Sequence, residues 1–327
     1  MRVLVTGGAG YVGSHAAKAL AVHGHDVVTL DNLTTGHAWA VKWGPLVRGD
    51  VGDPNLVRNV LDNHQPDAVL HFAGSAYVGE SMTAPERYFR NNVIGGLSLL
   101  EAIVSDGVRP FVFSSTCATY GTPDLLPISE ETPQIPVNPY GASKLMIEQS
   151  LRWYGESHDL PWAALRYFNA SGADEDGEIG EVHRPEPHLI PRTIAAANGR
   201  SGPLGVFGTD YPTRDGTAIR DYVHVTDLAI AHVVAIDRLR EGMTSGGFNL
   251  GSGSGFSVLE VIEEVEALSG RTVPFTEEPR RPGDPAELVA DASLAAKELG
   301  WEPRLASLEP IVASALQWAT QELEETS

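Results

Sequence analysis

The sequence predicts an α/β protein, a doubly wound parallel sheet followed by a smaller α/β lobe that completes a cleft. Three observations predict it. Short apolar runs alternate with amphipathic stretches through the first half of the chain. A glycine cluster follows the first apolar run directly. Beyond about residue 168 the elements become shorter, separated by glycine, proline and acidic residues. Strands alternating with helices imply a parallel sheet covered on both faces, with right-handed crossovers.

Taken in order, the strands are Val3–Thr6, Val27–Leu30, Leu46–Gly49, Ala68–Phe72, Phe111–Ser114 and Ala163–Tyr167. The helices between them are Gly13–His23, Asn55–His64, Glu86–Ser105 and Pro139–Ser157. The last of these has a legible start, because Asn138 is a good N-cap and Pro139 suits the first helical position. Leu145, Met146, Ile147 and Leu151 can seat it on a core. After the crowded stretch Gly172–Pro187 come a helix over Leu189–Asn198, a strand over Gly205–Phe207 and a helix over Thr226–Leu239. Ser257 and Glu260 form a capping box that opens a helix ending at Gly270. A final helix runs from about Leu308 to Glu322. The chain therefore divides into a first domain, 1–168, and a second lobe, 169–327. That boundary is soft, because later elements can return to the first domain.

At 327 residues the chain can bury one large core or two modest ones. Its net charge of −20, from 23 basic and 43 acidic residues, argues against nucleic acid and anionic membranes as partners. Any anionic ligand must then be met by placed arginines or backbone amides. The single cysteine, Cys117, rules out an internal disulfide and suits a reducing cytoplasm. No apolar run has transmembrane length. The opening strand, Arg2–Thr6, is too short for a signal peptide. The acidic run Gln321–Glu325 reads as a solvated helix end. The eleven histidines are scattered without the spacing of a metal site, so no metal is expected. His71 and His224 read as structural, and Cys117 as a packing residue.

The glycine cluster carries the first chemistry. Gly7, Gly8, Gly10 and Gly13 lie between the first strand and the first helix, the setting a Rossmann-type dinucleotide site requires. Glycines there let the backbone approach a pyrophosphate held at the helix N-terminus. In isolation such a run also fits a flexible turn. Asp31 ends the second strand, 18 residues beyond Gly13, where an acid accepts the adenosine ribose hydroxyls and repels a 2′-phosphate. The reading is therefore NAD rather than NADP. Asp50 and Val51 end the third strand and can flank the adenine. Phe72, Ala73 and Gly74 end the fourth, with a small residue where the pyrophosphate passes.

Tyr140 and Lys144 carry the second. Four residues apart on a helix, they share a face. A phenol titrates near pH 10, and a neighbouring ammonium or a helix N-terminus favours its phenolate. The pair is a proton-transfer device suited to a sugar hydroxyl. Alone, the spacing is weak evidence and reads more readily as an ordinary exposed helix face.

With these motifs together, the chain resembles the extended short-chain dehydrogenase/reductase family, and within it the UDP-sugar 4-epimerases. The resemblance is nearly full-length. It rests on Val5–His15, Leu30–Leu33, His71–Gly74, Val78–Ser81, Asn91–Val93, Phe113–Thr116, Leu165–Asn169, Val206–Pro212 and Arg220–Val225 as they stand here. It implies reversible NAD-dependent 4-epimerisation of UDP-galactose and UDP-glucose through a 4-keto sugar. Tyr140 would be the base, Lys144 would hold the nicotinamide ribose and tune Tyr140, and Thr116 would bond the reacting hydroxyl. Cofactor contacts are implied from Gly7, Gly10, Tyr11, Val12, Gly13, Asp31, Asn32, Asp50, Val51, Phe72, Ala73, Gly74, Asn91, Ser114 and Tyr167. Substrate contacts are implied from Asn169, His188, Leu189, Val206, Phe207 and Asp284, with Arg220 and Arg281 on the diphosphate. Residues 1–168 become the NAD-binding domain and 169–327 the nucleotide-sugar lobe. A homodimer through Glu86–Ser105 and the Tyr140 helix is also implied.

Ala76, His188 and Leu288 depart from some relatives, which leaves the sugar open among hexoses, N-acetylhexosamines, pentoses and uronates. A 4,6-dehydratase carries an Asp-Glu pair after its threonine; Cys117 and Ala118 stand here and cannot supply that acid and base. A reading from another class is a catalytically silent, NAD-sensing regulator on the same fold.

Overall fold

The computed structural model describes residues 1–281 and 283–326, the side chains of residues 322–326 excepted. The expectation for the acidic run at 321–325 therefore lies largely outside the described residues. A seven-stranded, all-parallel sheet forms the centre. In chain order its first six strands are β1 (Arg2–Thr6), β2 (Asp26–Asp31), β3 (Leu46–Arg48), β4 (Ala68–His71), β5 (Phe111–Thr116) and β6 (Trp162–Tyr167). They alternate with α1 (Tyr11–Val22), α2 (Pro54–His64), α3 (Val78–Thr83), α4 (Pro85–Tyr88), α5 (Gly95–Asp106) and α6 (Pro139–His158). The six strands match the sequence reading. β1, β4 and β5 are almost wholly buried, as strands covered on both faces must be.

The Glu86–Ser105 helix is corrected. Between α4 and α5 the chain takes a π-helical turn over Phe89–Ile94. Apolar periodicity averages across such a turn and does not reveal it. The wider turn buries Asn92 against the site.

The later elements are β7 (Asn169–Ser171), α7 (Leu189–Ala197), β8 (Leu204–Phe207), β9 (Ile219–His224), α8 (Val225–Arg240), β10 (Gly246–Leu250), β11 (Gly255–Ser257), α9 (Val258–Ser269), β12 (Phe275–Glu278), β13 (Glu287–Leu288) and α10 (Leu308–Thr326). The sheet order is β10-β6-β5-β4-β1-β2-β3. β10 thus returns to the first domain's sheet, pairing with β6 from Gly246↔Ala163 to Leu250↔Tyr167. α8 returns with it and packs on α1. One core fills the face under α1 and α8, a second the face under α2, α5 and α6. A third, under α7, α9 and α10, belongs to the smaller lobe. There β9 pairs with β7, β11 and β13, and β12 pairs with β8. The Ser257/Glu260 capping box and the αL turn at Gly270 are present as read.

Candidate active site

Strand order reverses between β1 and β4, and a ligand crevice opens at the carboxyl ends of strands at such a point. The glycine turn sits there. Gly7 holds φ +74°, and a Cβ on it would lie 2.5 Å from the Ala73 nitrogen. A side chain at Gly13 would run into the Gly7 carbonyl. α1 opens at Gly10 with no side-chain cap, so its first N–H groups face the crevice mouth as anion donors. Tyr11 turns away and donates its hydroxyl to Gly172 O at 2.5 Å. Asp31 is buried at the end of β2; its oxygens accept from Ala9 N at 3.0 Å and Leu33 N at 2.8 Å. Lone pairs remain on both for ribose hydroxyls. Asn32 bonds Asp50 at 3.0 Å, which ties the ends of β2 and β3 together, and Val51 is buried beside them. Phe72, Ala73 and Gly74 pass just under the glycine turn, the Phe72 and Ala73 N–H groups donating to Thr6 O. This cradle, free of side chains, with a buried acid at its far end, fits a dinucleotide.

Thr116 ends β5 and accepts from Ala118 N at 3.1 Å. Tyr140 is the second residue of α6, whose start is capped by Asn138 on Gly141 N at 2.8 Å. Burial pushes its phenol above the usual range, Tyr167 adds to that, and a hydrogen bond with Thr116 pulls the other way. Lys144 is almost wholly buried, and burial lowers its ammonium to about 8, with Glu148 opposing. Its Nζ donates to Ser114 O at 2.8 Å and lies 4.8 Å from the Phe113 ring centre. In the protein alone, then, Lys144 is engaged with β5, and Thr116 is the group that favours the Tyr140 phenolate. Ser114 Oγ bonds the Tyr167 hydroxyl, itself raised to about 12 by burial.

Asn91 donates to Ser75 Oγ at 3.1 Å. Its neighbour Asn92, which sequence reasoning missed, is more deeply placed. It accepts from Ser75 N at 2.7 Å and donates to Ser75 O at 3.0 Å and Ser143 Oγ at 2.9 Å. The loop after β4 is thereby locked to α6.

The smaller lobe faces this constellation. Asn169 begins β7, and Leu189 begins α7 with His188 as its N-cap residue. Strand alternation turns the Val206 side chain into the third core, which leaves only its backbone for a ligand, whereas Phe207 is half-buried on the other face. Arg281 stacks over the Phe207 ring at 3.9 Å. Burial lowers its pKa, Asp284 opposes, and Arg192 and Arg220 add to the lowering. Arg220 bonds Asp284 and donates to Pro285 O at 2.8 Å. Asp284 is therefore placed as the partner of an arginine. Arg192, one turn into α7, acts on Arg281 and joins the cationic group; no motif around it signalled this in the sequence. Three arginines close enough to act on one another, on so acidic a chain, make a cationic group of the kind that suits an anion. Leu288 is the Cα partner of Arg220 across β13 and β9, and Ala76 is exposed.

His188 does not present a free ring. Its Nδ1 lies 2.6 Å from Glu181 and 2.8 Å from Glu186, and His183 Nδ1 lies 3.1 Å from Glu181. The histidines, scattered in sequence, thus meet two carboxylates in space. His71 bonds Thr6 at 2.7 Å, and His224 caps α8 through Thr226 N at 3.1 Å, both as structural groups. Cys117 is half-buried and its thiol is pushed up to about 12 by burial, which leaves it a poor nucleophile.

A parallel sheet with a dinucleotide cradle at its switch point, a tyrosine–lysine–threonine group beside it and a cationic lobe opposite defines a nucleotide-dependent enzyme of sugar-nucleotide type. The chain belongs to the NAD dependent epimerase/dehydratase family, which matches residues 3–251. It is 49% identical over 318 residues to a UDP-glucose 4-epimerase of Halalkalibacterium halodurans, covering 97% of this chain and 95% of that one. The structure of UDP-glucose 4-epimerase from Brucella ovis in complex with NAD is 51% identical, superposes with a TM-score of 0.95, and is covered to 97% on both sides. That from Bifidobacterium longum in complex with NAD+ and UDP is 41% identical with a TM-score of 0.94, 99% of each chain being covered.

Proposed function

We propose that the protein catalyses the NAD-dependent interconversion of UDP-galactose and UDP-glucose. The observation that carries this is Thr116 at the end of β5 with Tyr140 and Lys144 of α6 against that strand, beside the switch point, and Cys117 and Ala118 where a dehydratase needs its extra acid and base. Tyr140 takes the proton from the sugar 4-hydroxyl, while Thr116 bonds the same oxygen. NAD+, which the glycine turn and Asp31 would hold, would supply the acceptor and later the donor of the C4 hydride. Its cationic ring would also favour the phenolate that burial alone opposes. Lys144 holds the nicotinamide ribose. Arg192, Arg220 and Arg281 grip the diphosphate while the 4-keto sugar turns over, and Tyr140 returns the proton on the opposite face. The net reaction has no redox change, so the cofactor stays resident in the cradle.

Purified protein given UDP-galactose without added NAD should form UDP-glucose. Tyr140→Phe should cut turnover by roughly 100-fold or more and retain bound NAD. Failure to convert any UDP-hexose or UDP-pentose would overturn the reading in favour of a silent NAD-binding regulator. Leu288, beside Arg220, supports a second reading on a different UDP-sugar; a panel of hexoses, N-acetylhexosamines, xylose and glucuronate decides between them.

The same proposal includes a cytoplasmic homodimer. α5 and α6 pack side by side; the π-turn before α5 exposes Ile94, and α6 exposes Met146 and Trp153, the last 65% exposed. No described helix is long and apolar enough to cross a membrane.

A further inference from the structure

We propose that Glu181, His183, Glu186 and His188 form a binding site for one divalent transition-metal ion of the zinc class. The four side chains come from a single eight-residue stretch, and one donor atom from each lies within 4.8 Å of the others. Individual separations are 2.6 to 3.5 Å. Donors at the vertices of a tetrahedron around zinc, at bond lengths near 2.0–2.2 Å, stand about 3.4 Å apart.

A second observation separates this group from ordinary ion pairing. The Glu181 side chain is only 6% exposed, yet its inward Oε1 has no hydrogen-bond partner, and neither has His183 Nδ1. The two histidines reach Oε1 at contact distance but off the line that a hydrogen bond needs. Such atoms converge on a point between them. Two neutral imidazoles, two carboxylates and a divalent cation sum to zero charge, the same sum as two imidazoliums and two carboxylates. The metal would replace two protons without leaving a net buried charge. Mixed nitrogen and carboxylate donors suit zinc, cobalt, nickel or copper, whereas magnesium and calcium prefer all-oxygen sites. By contrast, Asp174, Asp176 and Glu178 converge on Lys18 Nζ at 2.7–2.8 Å, so an ammonium already occupies the point where an ion would sit.

The location gives the site a purpose distinct from the epimerase reading. His183 stands edge-on to Tyr11 of the cofactor turn and to Tyr77 of the loop after β4, with ring centres at 6.4 and 5.7 Å. His188 is the residue from which α7 starts. A metal here would fix the segment leading into the substrate-facing helix. It would also account for His188 as a ligand rather than a free substrate contact.

Untagged full-length protein, stripped with EDTA, is titrated with Co2+ and then with Zn2+. The expected result is one equivalent of Co2+ per chain with the intense visible absorption of a tetrahedral site, displaced by Zn2+ and unaffected by Mg2+. Binding should tighten as pH rises, because protons leave the histidines. His183→Gln and Glu186→Gln should each weaken it about tenfold or more, while Asp176→Asn should leave it unchanged. If only the weak spectrum of the hydrated ion is seen up to about 1 mM Co2+, the proposal fails. It fails equally if the tetrahedral spectrum survives in both variants with their circular dichroism intact.

Discussion

Tyr140 and Lys144 leave α6 one turn apart, yet their polar ends go to different partners. The spacing places two side chains on one face; it does not say where a four-carbon stem will carry its charge. Here the stem runs inward to Ser114 O, so the lysine reaches β5 and leaves the phenol to Thr116. The histidine–glutamate group was hidden for a related reason. Its residues lie in an irregular stretch, where no periodicity foretells which side chains meet. Its charges give a pH prediction for metal-free protein. Burial opposes the charge on His183 and His188, but the close carboxylates of Glu181 and Glu186 win and raise them to about 9 and about 10. Burial likewise opposes the Glu186 charge, and the histidines hold it down to about 2. Raised histidines stabilise fully below their usual 6.5 and lose that contribution as pH climbs through 9 to 10. The depressed glutamate stabilises above its usual 4.5 and loses that as pH falls toward 2. The group's contribution is therefore greatest between about pH 4.5 and 6.5. Urea unfolding in EDTA should show the gap between wild type and His183→Gln shrinking from pH 6.5 to 9.5. A constant gap would mean that the histidine is uncharged in the fold.

At the scale of elements, α6 is held by more than its apolar face. Glu148, one turn beyond Lys144, pairs with Arg166 of β6 at 2.6 Å and bonds Ser115 of β5. Arg166 also donates to the Tyr120 hydroxyl at 2.8 Å. Both partners are nine-tenths buried. Glu148→Ala should lower stability by about 3–5 kcal/mol, because it strands a buried guanidinium. Chemical denaturation measures this, and a loss under about 1 kcal/mol would mean that water reaches Arg166. The first six strands and the glycine turn were legible because each is an apolar run with strong punctuation. The π-turn before α5 was not, since one extra residue per turn leaves composition and periodicity nearly unchanged. β10 was not, because Gly246–Leu250 is short and glycine-led, and its partner lies about 80 residues earlier. The arginines of the anion site were legible only through surrounding motifs; Arg192 lacked one.

At the scale of the molecule, the proposed dimer face is tested at Trp153, a large apolar side chain exposed on α6 of an acidic chain. Trp153→Glu should convert a dimer to a 35.0 kDa monomer in light scattering. A wild-type protein that is already monomeric would refute the shared face. The return of β10 to the edge of β6 has a consequence during synthesis. The ribosome delivers β6 complete, then makes about 80 more residues before the strand that covers it emerges. At ~5–20 residues per second, that edge stays open for roughly 4–16 s. Throughout that time the nascent chain carries a finished apolar strand with one edge unpaired, and a chaperone that shields strand edges would have its opportunity then, before the small lobe is complete.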